Sequence, residues 1–344
     1  MITNRQKNFL ILFSSKALFL GVGYSLILDV SGHDSWLCFI LGSLLGLIFC
    51  FILKKILDYK KEKTLTSLFK EMSFIGIILR IVVIFLSIFI INELLFILQI
   101  FAKSFFLINS NTFLIILPVF ALAIYVAFKG YRLLSYIAEC LFPIALFFTF
   151  VALISLVFKA DYTNLKPILS HTNMELAKGI FFYFTLTVSP LLFLLDLNFE
   201  DNTISNGYIA STFVLTGIAI ILLDVLGQFL ITIYRFPEYM VLKDIELFHF
   251  IEKIENIISI TWIIDNFILL CLATCFLKRM LPKKFNNYTF LTIVGSIFAI
   301  VCLVFGNNYI NDLYIYLYLP YILGILMIPT IIILFLYVIK KNKS

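Results

Sequence analysis

The chain has 344 residues, of which 62% are hydrophobic and only 13% charged, with a formal net charge of +6. Soluble domains run at roughly 45–50% apolar and about 25% charged, so this balance excludes a water-soluble globule and predicts an all-α integral membrane protein. The basic residues are spread between apolar runs rather than gathered on one arm or face, which excludes nucleic-acid binding as the meaning of the positive charge.

Uninterrupted apolar stretches predict about ten transmembrane helices, near 8–28, 35–53, 74–106, 112–128, 134–158, 179–196, 205–234, 254–280, 288–305 and 313–339. The first is expected to be a retained span, because no small-residue cleavage site follows it, and the mature chain to begin at or near Met1. It carries Lys16 and is interrupted at Gly21-Val22-Gly23. In the second, Gly42 and Gly46 form a small-xxx-small motif, expected to serve close helix packing. The third carries Arg80 and Glu93, and places Asn92, Gln99 and Lys103 on one face with Glu93 beside it. Arg80 and Glu139 lie near helix ends and are expected to snorkel to the interface.

Ser189-Pro190 interrupts the sixth span. In the seventh, Gly217, Asp224, Gln228 and Thr232 recur at spacings of seven, four and four, a polar stripe read either as interhelical hydrogen bonding or as the wall of a cavity. Asp265 lies within the eighth, while Pro118, Pro143, Pro320 and Pro329 read as simple kinks. No linker suggests a second domain, so residues 1–344 are expected to form one polytopic membrane domain, with one repeat about 8–158 and a second about 179–339.

Basic residues orient the spans. Seventeen (Arg5, Lys7, Lys54, Lys55, Lys60, Lys61, Lys63, Lys70, Lys129, Arg132, Lys278, Arg279, Lys283, Lys284, Lys340, Lys341 and Lys343) fall in one set of alternating segments, against seven in the other. Lys and Arg accumulate on the cytoplasmic side, so both termini are predicted to be cytoplasmic. The segment 197–204 runs against this pattern, having Glu200 and Asp201 and no base. The outer segment 235–253 alternates charge with Ile245, Leu247, Phe248, Phe250 and Ile251, and is expected to be a short amphipathic helix on the membrane surface.

Six cysteines, Cys38, Cys50, Cys140, Cys271, Cys275 and Cys302, lie in or at the edge of apolar runs without a C-x-x-C pair and are read as buried thiols. His33, His171 and His249 show no metal-ligand spacing, so no metal or other cofactor is expected. No phosphate loop, nucleophile elbow or paired-carboxylate motif stands in the loops, which argues against an enzyme.

The interruptions of the first and sixth spans fall at corresponding places if the chain is two halves of five. Paired breaks of this kind point to a midplane binding site in an inverted-repeat transporter fold, where unwound backbone can hold a small zwitterion. The candidate ligand-binding residues are therefore Gly21, Val22, Gly23, Thr187, Val188, Ser189 and Pro190, with the mid-span carboxylates Glu93 and Asp265 nearby. Glu93 has an alternative role, which is to pair with Lys16.

Four stretches stand in a fixed order along the chain: the opening Ile2-Thr3-Asn4-Arg5-Gln6, then Ser31-Gly32-His33-Asp34-Ser35-Trp36 before the glycine-punctuated second span. Further on come Arg235-Phe236-Pro237-Glu238, and Phe250 to Asn256 with Trp262. In these stretches the chain resembles endospore germination permeases. That family forms the B subunit of spore germinant receptors and is similar to amino acid permeases of the amino acid, polyamine and organocation superfamily. The resemblance implies a five-plus-five broken-helix fold that binds a small nutrient such as an amino acid, works with an A-type subunit and a C-type lipoprotein, and sits in the inner spore membrane. Lys16 departs from the small residues expected before the first break, and would fill or neutralise part of the pocket. The competing function is a secondary active amino acid transporter, coupled to protons through Glu93 or Asp265.

Overall fold

The structure, a computed structural model, describes residues 2–60, 63–108, 110–157, 164, 166, 169–234, 236–243, 255–282, 286–304 and 312–343. Its helices are α1 (Asn4–Ala17), α2 (Val22–Ser31), α3 (Ser35–Lys60), α4 (Leu65–Glu71), α5 (Ser73–Phe105), α6 (Thr112–Lys129) and α7 (Tyr131–Val157). There follow α8 (Asn173–Val188), α9 (Ser205–Ile233), α10 (Pro237–Lys243), α11 (Glu255–Met280), α12 (Asn286–Val304) and α13 (Asp312–Lys343). Two capping boxes mark starts that the sequence makes local: Thr3 with Gln6 opens α1 and Thr172 with Glu175 opens α8, each satisfying amide donors that a helix leaves unpaired.

Among the described residues, eight helical stretches are long and apolar enough to cross a bilayer. The first predicted span is divided between α1 and α2, and the apolar part of α12, Asn287–Val301, is shorter than the rest. Two stretches are mostly enclosed by protein, Asn173–Asp196 at 89% and Ser259–Met280 at 83%, whereas the others are at 44% or less. Those two therefore form the centre of the bundle. Phe74, Ile81, Leu114, Phe147, Phe150, Phe213 and Ile325 point outward from the rest. Large apolar side chains on a continuous outer face suit lipid and not water.

The bundle is tight where glycines allow it. α3 packs against α8 and α9; a Cβ on Gly46 would land on the Tyr208 hydroxyl, and one on Gly42 would come within 2.7 Å of the Tyr183 ring. Both glycines thus act as the expected packing motif. α9 is kinked at Gly227, whose φ of 70° departs from the helix, and Asn164 donates its side-chain N–H to the Asp224 carbonyl at 2.7 Å. The kink divides the seven-four-four stripe, so Gly217, Asp224, Gln228 and Thr232 do not share one straight face.

The acidic segment 197–204 is explained by its neighbours. Ile2 donates its N–H to the Asn198 carbonyl at 3.1 Å and accepts from Glu200 at 3.2 Å. Lys7 donates to the Asp201 carbonyl at 2.7 Å, and its Nζ lies 3.6 Å from the Asp201 carboxylate. The segment therefore lies on the same side as the N-terminal residues, whose lysine supplies the positive charge the segment lacks. One expectation about the thiols is corrected: Cys38, Cys50, Cys271 and Cys275 are buried, but Cys140 is exposed on the outer face of α7, and the side chain of Cys302 falls outside the described residues.

Candidate functional site

The first predicted span breaks where α1 ends at Ala17 and α2 begins at Val22. Phe19 and Leu20 both donate to the Lys16 carbonyl at 3.0 Å, and Tyr24 donates to Phe19 at 2.9 Å, so the turn is closed tightly. Gly21 makes the turn possible: its φ is 90°, a region that side-chain-bearing L residues rarely adopt. Space enforces the same choice, since a Cβ on Gly21 would lie 3.3 Å from both Phe236 and Trp262.

The backbone groups released by this break are not left open. Gly21 donates its N–H to Glu238 Oε1 at 2.8 Å, and the Leu20 carbonyl accepts from Trp262 Nε1 at 3.2 Å. Beside them lies a cavity of about 40 Å³, walled by Lys16 and Leu20, Phe101 of α5, Ala152 and Thr149 of α7, Ile218 and Leu222 of α9, Glu238 and Tyr239 of α10, and Thr261, Trp262 and Asp265 of α11. Phe236, which precedes α10, and Leu153 and Leu156 of α7 complete the wall. Four of these residues form an aromatic cluster: the Phe101 ring centroid is 4.5 Å from Trp262, 5.1 Å from Phe236 and 5.7 Å from Tyr239. Within the wall, Lys16 Nζ and Asp265 Oδ1 form a salt bridge of 3.0 Å.

This arrangement differs from the expected site in several respects. Asp265 lines the cavity, whereas Gly21 lies outside the wall and donates its amide N–H to the wall residue Glu238. Gly23 starts α2 against the Leu18 carbonyl, which a Cβ there would approach within 2.6 Å, and Val22 contributes backbone to the same helix start. Thr187 is occupied elsewhere, bonded to the Tyr183 carbonyl and to the Tyr208 hydroxyl, each at 2.9 Å. Val188, Ser189 and Pro190 are buried at the end of α8 and are not part of the cavity wall.

At Ser189-Pro190 the chain does not unwind. It tightens into a 3-10 helix over Ser189–Asp196, because Pro190 has no N–H to continue the α-helical ladder while i to i+3 bonding remains available. Fewer backbone groups are released there than an unwound break would free. Glu93 is buried outside the cavity wall, with its Oε2 lacking a hydrogen-bond partner among the described residues. The Lys16–Glu93 pairing is likewise replaced by Lys16–Asp265, because α1 packs along α11.

The outer segment also departs from expectation where it is described. Phe236, Tyr239, Val241 and Leu242 are buried, so α10 is packed into the bundle and not laid on its surface. Arg235 and residues 244–253 lie outside the described residues. Glu238, Trp262 and Phe101, which dominate the cavity, were not among the expected site residues. Glu238 and Trp262 did stand in the motifs that carried the family resemblance, one directly after Phe236-Pro237. Two carboxylates, one ammonium and an aromatic wall in an apolar bundle can hold a small charged molecule or a few waters.

Residues 5–312 match the family described as "Spore germination protein". The chain is also similar to Spore germination protein XB of Bacillus anthracis, with 23% identity over 339 residues that cover 92% of each chain.

Proposed function

The chain belongs to the spore germination protein family, and from that membership we propose that it is the nutrient-binding membrane subunit of a germinant receptor, sensing a small molecule such as an amino acid. The observation that carries this reading is the cavity at the first-helix break, with its buried Lys16–Asp265 pair. Ionisable groups inside a membrane bundle are costly, and they mark ligand or ion sites more often than simple packing.

The proposed architecture is a five-plus-five inverted repeat, in which α1 and α2 form the first helix of one half and α8 with its 3-10 extension forms the first helix of the other. The two interruptions at matching places support it. An A-type subunit and a C-type lipoprotein are the proposed partners, and the inner spore membrane, with both termini cytoplasmic, is the proposed location. A ligand that touches α1, α10 and α11 together would favour one packing of these elements over another, which is how binding shifts a two-state bundle.

Ala152→Phe tests the reading, because it fills the cavity from α7 without removing a charge. In spores with normal levels of all receptor subunits, the nutrient concentration for half-maximal germination should rise at least about tenfold, a loss of about 1.4 kcal/mol of binding. An unchanged response would show that the cavity is not the nutrient site. Uptake of labelled nutrient into proteoliposomes containing the chain alone would identify a transporter instead.

A further inference from the structure

Resting on the nutrient-binding reading, we infer that the cavity is built for a small organic cation, an amine without a carboxylate, whose ammonium group pairs with Glu238 against the aromatic wall. A zwitterion bound at a helix break uses the released N–H groups for its carboxylate. Here the protein supplies that carboxylate itself: the Gly21 N–H is given to Glu238 Oε1 at 2.8 Å, and the neighbouring Leu20 carbonyl is taken by Trp262 at 3.2 Å. A ligand carboxylate would have to displace Glu238 into surroundings where its charge has no solvent.

The charges of the wall point the same way. Lys16 is committed to Asp265 at 3.0 Å, and among the described residues no Lys or Arg nitrogen lies within 4.0 Å of the Glu238 carboxylate. Among the described residues the wall therefore holds two carboxylates and one ammonium, so that with both carboxylates ionised a bound cation would balance the charge. Asp265 Oδ2 is also buried without a hydrogen-bond partner among the described residues, which leaves a second acceptor for an ammonium N–H. Phe101, Phe236, Tyr239 and Trp262 also line the cavity, and aromatic rings favour a cation over an anion through the negative face of the ring quadrupole. A cavity of about 40 Å³ limits the ligand to a few heavy atoms unless the wall moves.

The experiment uses the full chain in lipid nanodiscs and measures its thermal unfolding with a series of monoamines from methylamine through isobutylamine to phenethylamine. Valine and isobutyrate are the matched zwitterion and anion. The expected result is a saturable rise in Tm with at least one amine, larger than with valine or isobutyrate, absent in Glu238→Gln and retained in Glu93→Gln. If Glu238→Gln does not fold, Phe101→Leu serves in its place, and should raise the half-saturating amine concentration about tenfold by removing one ring face; an unchanged value overturns the inference.

Stabilisation by valine equal to or greater than that by isobutylamine would overturn the cation assignment while leaving the nutrient-binding reading in place. Stabilisation by no amine in the series overturns it also. In that case the response of Ala152→Phe spores decides separately whether the cavity is a nutrient site at all.

Discussion

Lys16 of α1 and Asp265 of α11 meet at 3.0 Å, with their side chains only 4% and 1% exposed. The contact joins the first and eighth predicted spans beside the helix break, and makes it possible for two ionised groups to sit inside an apolar bundle. A lone charge at the middle of a span costs roughly 2.5–3.5 kcal/mol on insertion scales. Its partner removes part of that cost.

Loss of either partner should therefore be worse than loss of both. Lys16→Met and Asp265→Asn are each expected to destabilise the chain by about 3 kcal/mol, since each leaves a buried charge uncompensated. The double variant should recover most of this. Melting temperatures of the four proteins in nanodiscs give the cycle, and additive losses would mean that the pair does not interact in the bilayer.

Gly21→Ala should destabilise the chain by about 1–2 kcal/mol, the cost of holding an L residue in the left-handed region. Its φ is 90°, and the added methyl group would also press on Phe236 and Trp262. Because the turn positions the amide that Glu238 holds, the same variant should weaken the nutrient response at equal protein level. Melting temperature and germination dose-response, measured together, check both parts.

Gly46 and Gly217 are expected to behave oppositely. A Cβ on Gly46 meets the Tyr208 ring and hydroxyl, so Gly46→Ala should cost about 1–3 kcal/mol through overpacking between α3 and α9. A Cβ on Gly217 has open space around it, and Gly217→Ala should stabilise α9 by up to about 1 kcal/mol from helix propensity. Unfolding of the two variants in nanodiscs would reveal the contrast.

Both ends of the chain should be protected from outside. With Lys341→Cys in intact cells, an impermeant thiol reagent added externally is expected to leave position 341 unlabelled, and to label it once the membrane is permeabilised. The expectation follows from the seventeen-to-seven distribution of basic residues across alternating segments. Labelling before permeabilisation would reverse the orientation of every span.

Membrane character, the approximate positions of the eight long apolar helices and the place of the first break were readable from the chain. Each depends on local physics: apolar runs must leave water, Gly21 tolerates a backbone its neighbours do not, and Pro190 cannot extend an α-helical ladder. The Gly42 and Gly46 motif was readable for the same reason, because only the absence of a side chain lets α3 approach Tyr183 and Tyr208 so closely. What followed the proline was less readable, since a residue without an N–H is compatible with both a 3-10 continuation and an unwound segment.

Which charge meets which was decided only by the tertiary structure. Sequence spacing placed Lys16, Glu93 and Asp265 in three different spans, and any two could have been partners until the packing of α1 along α11 chose one pair. The same holds for Glu238, which the chain carries outside the predicted spans and the fold brings to the Gly21 amide. Helix and break are properties of neighbours in sequence, but a buried carboxylate finds its partner through contacts between distant segments, and no local pattern encodes those.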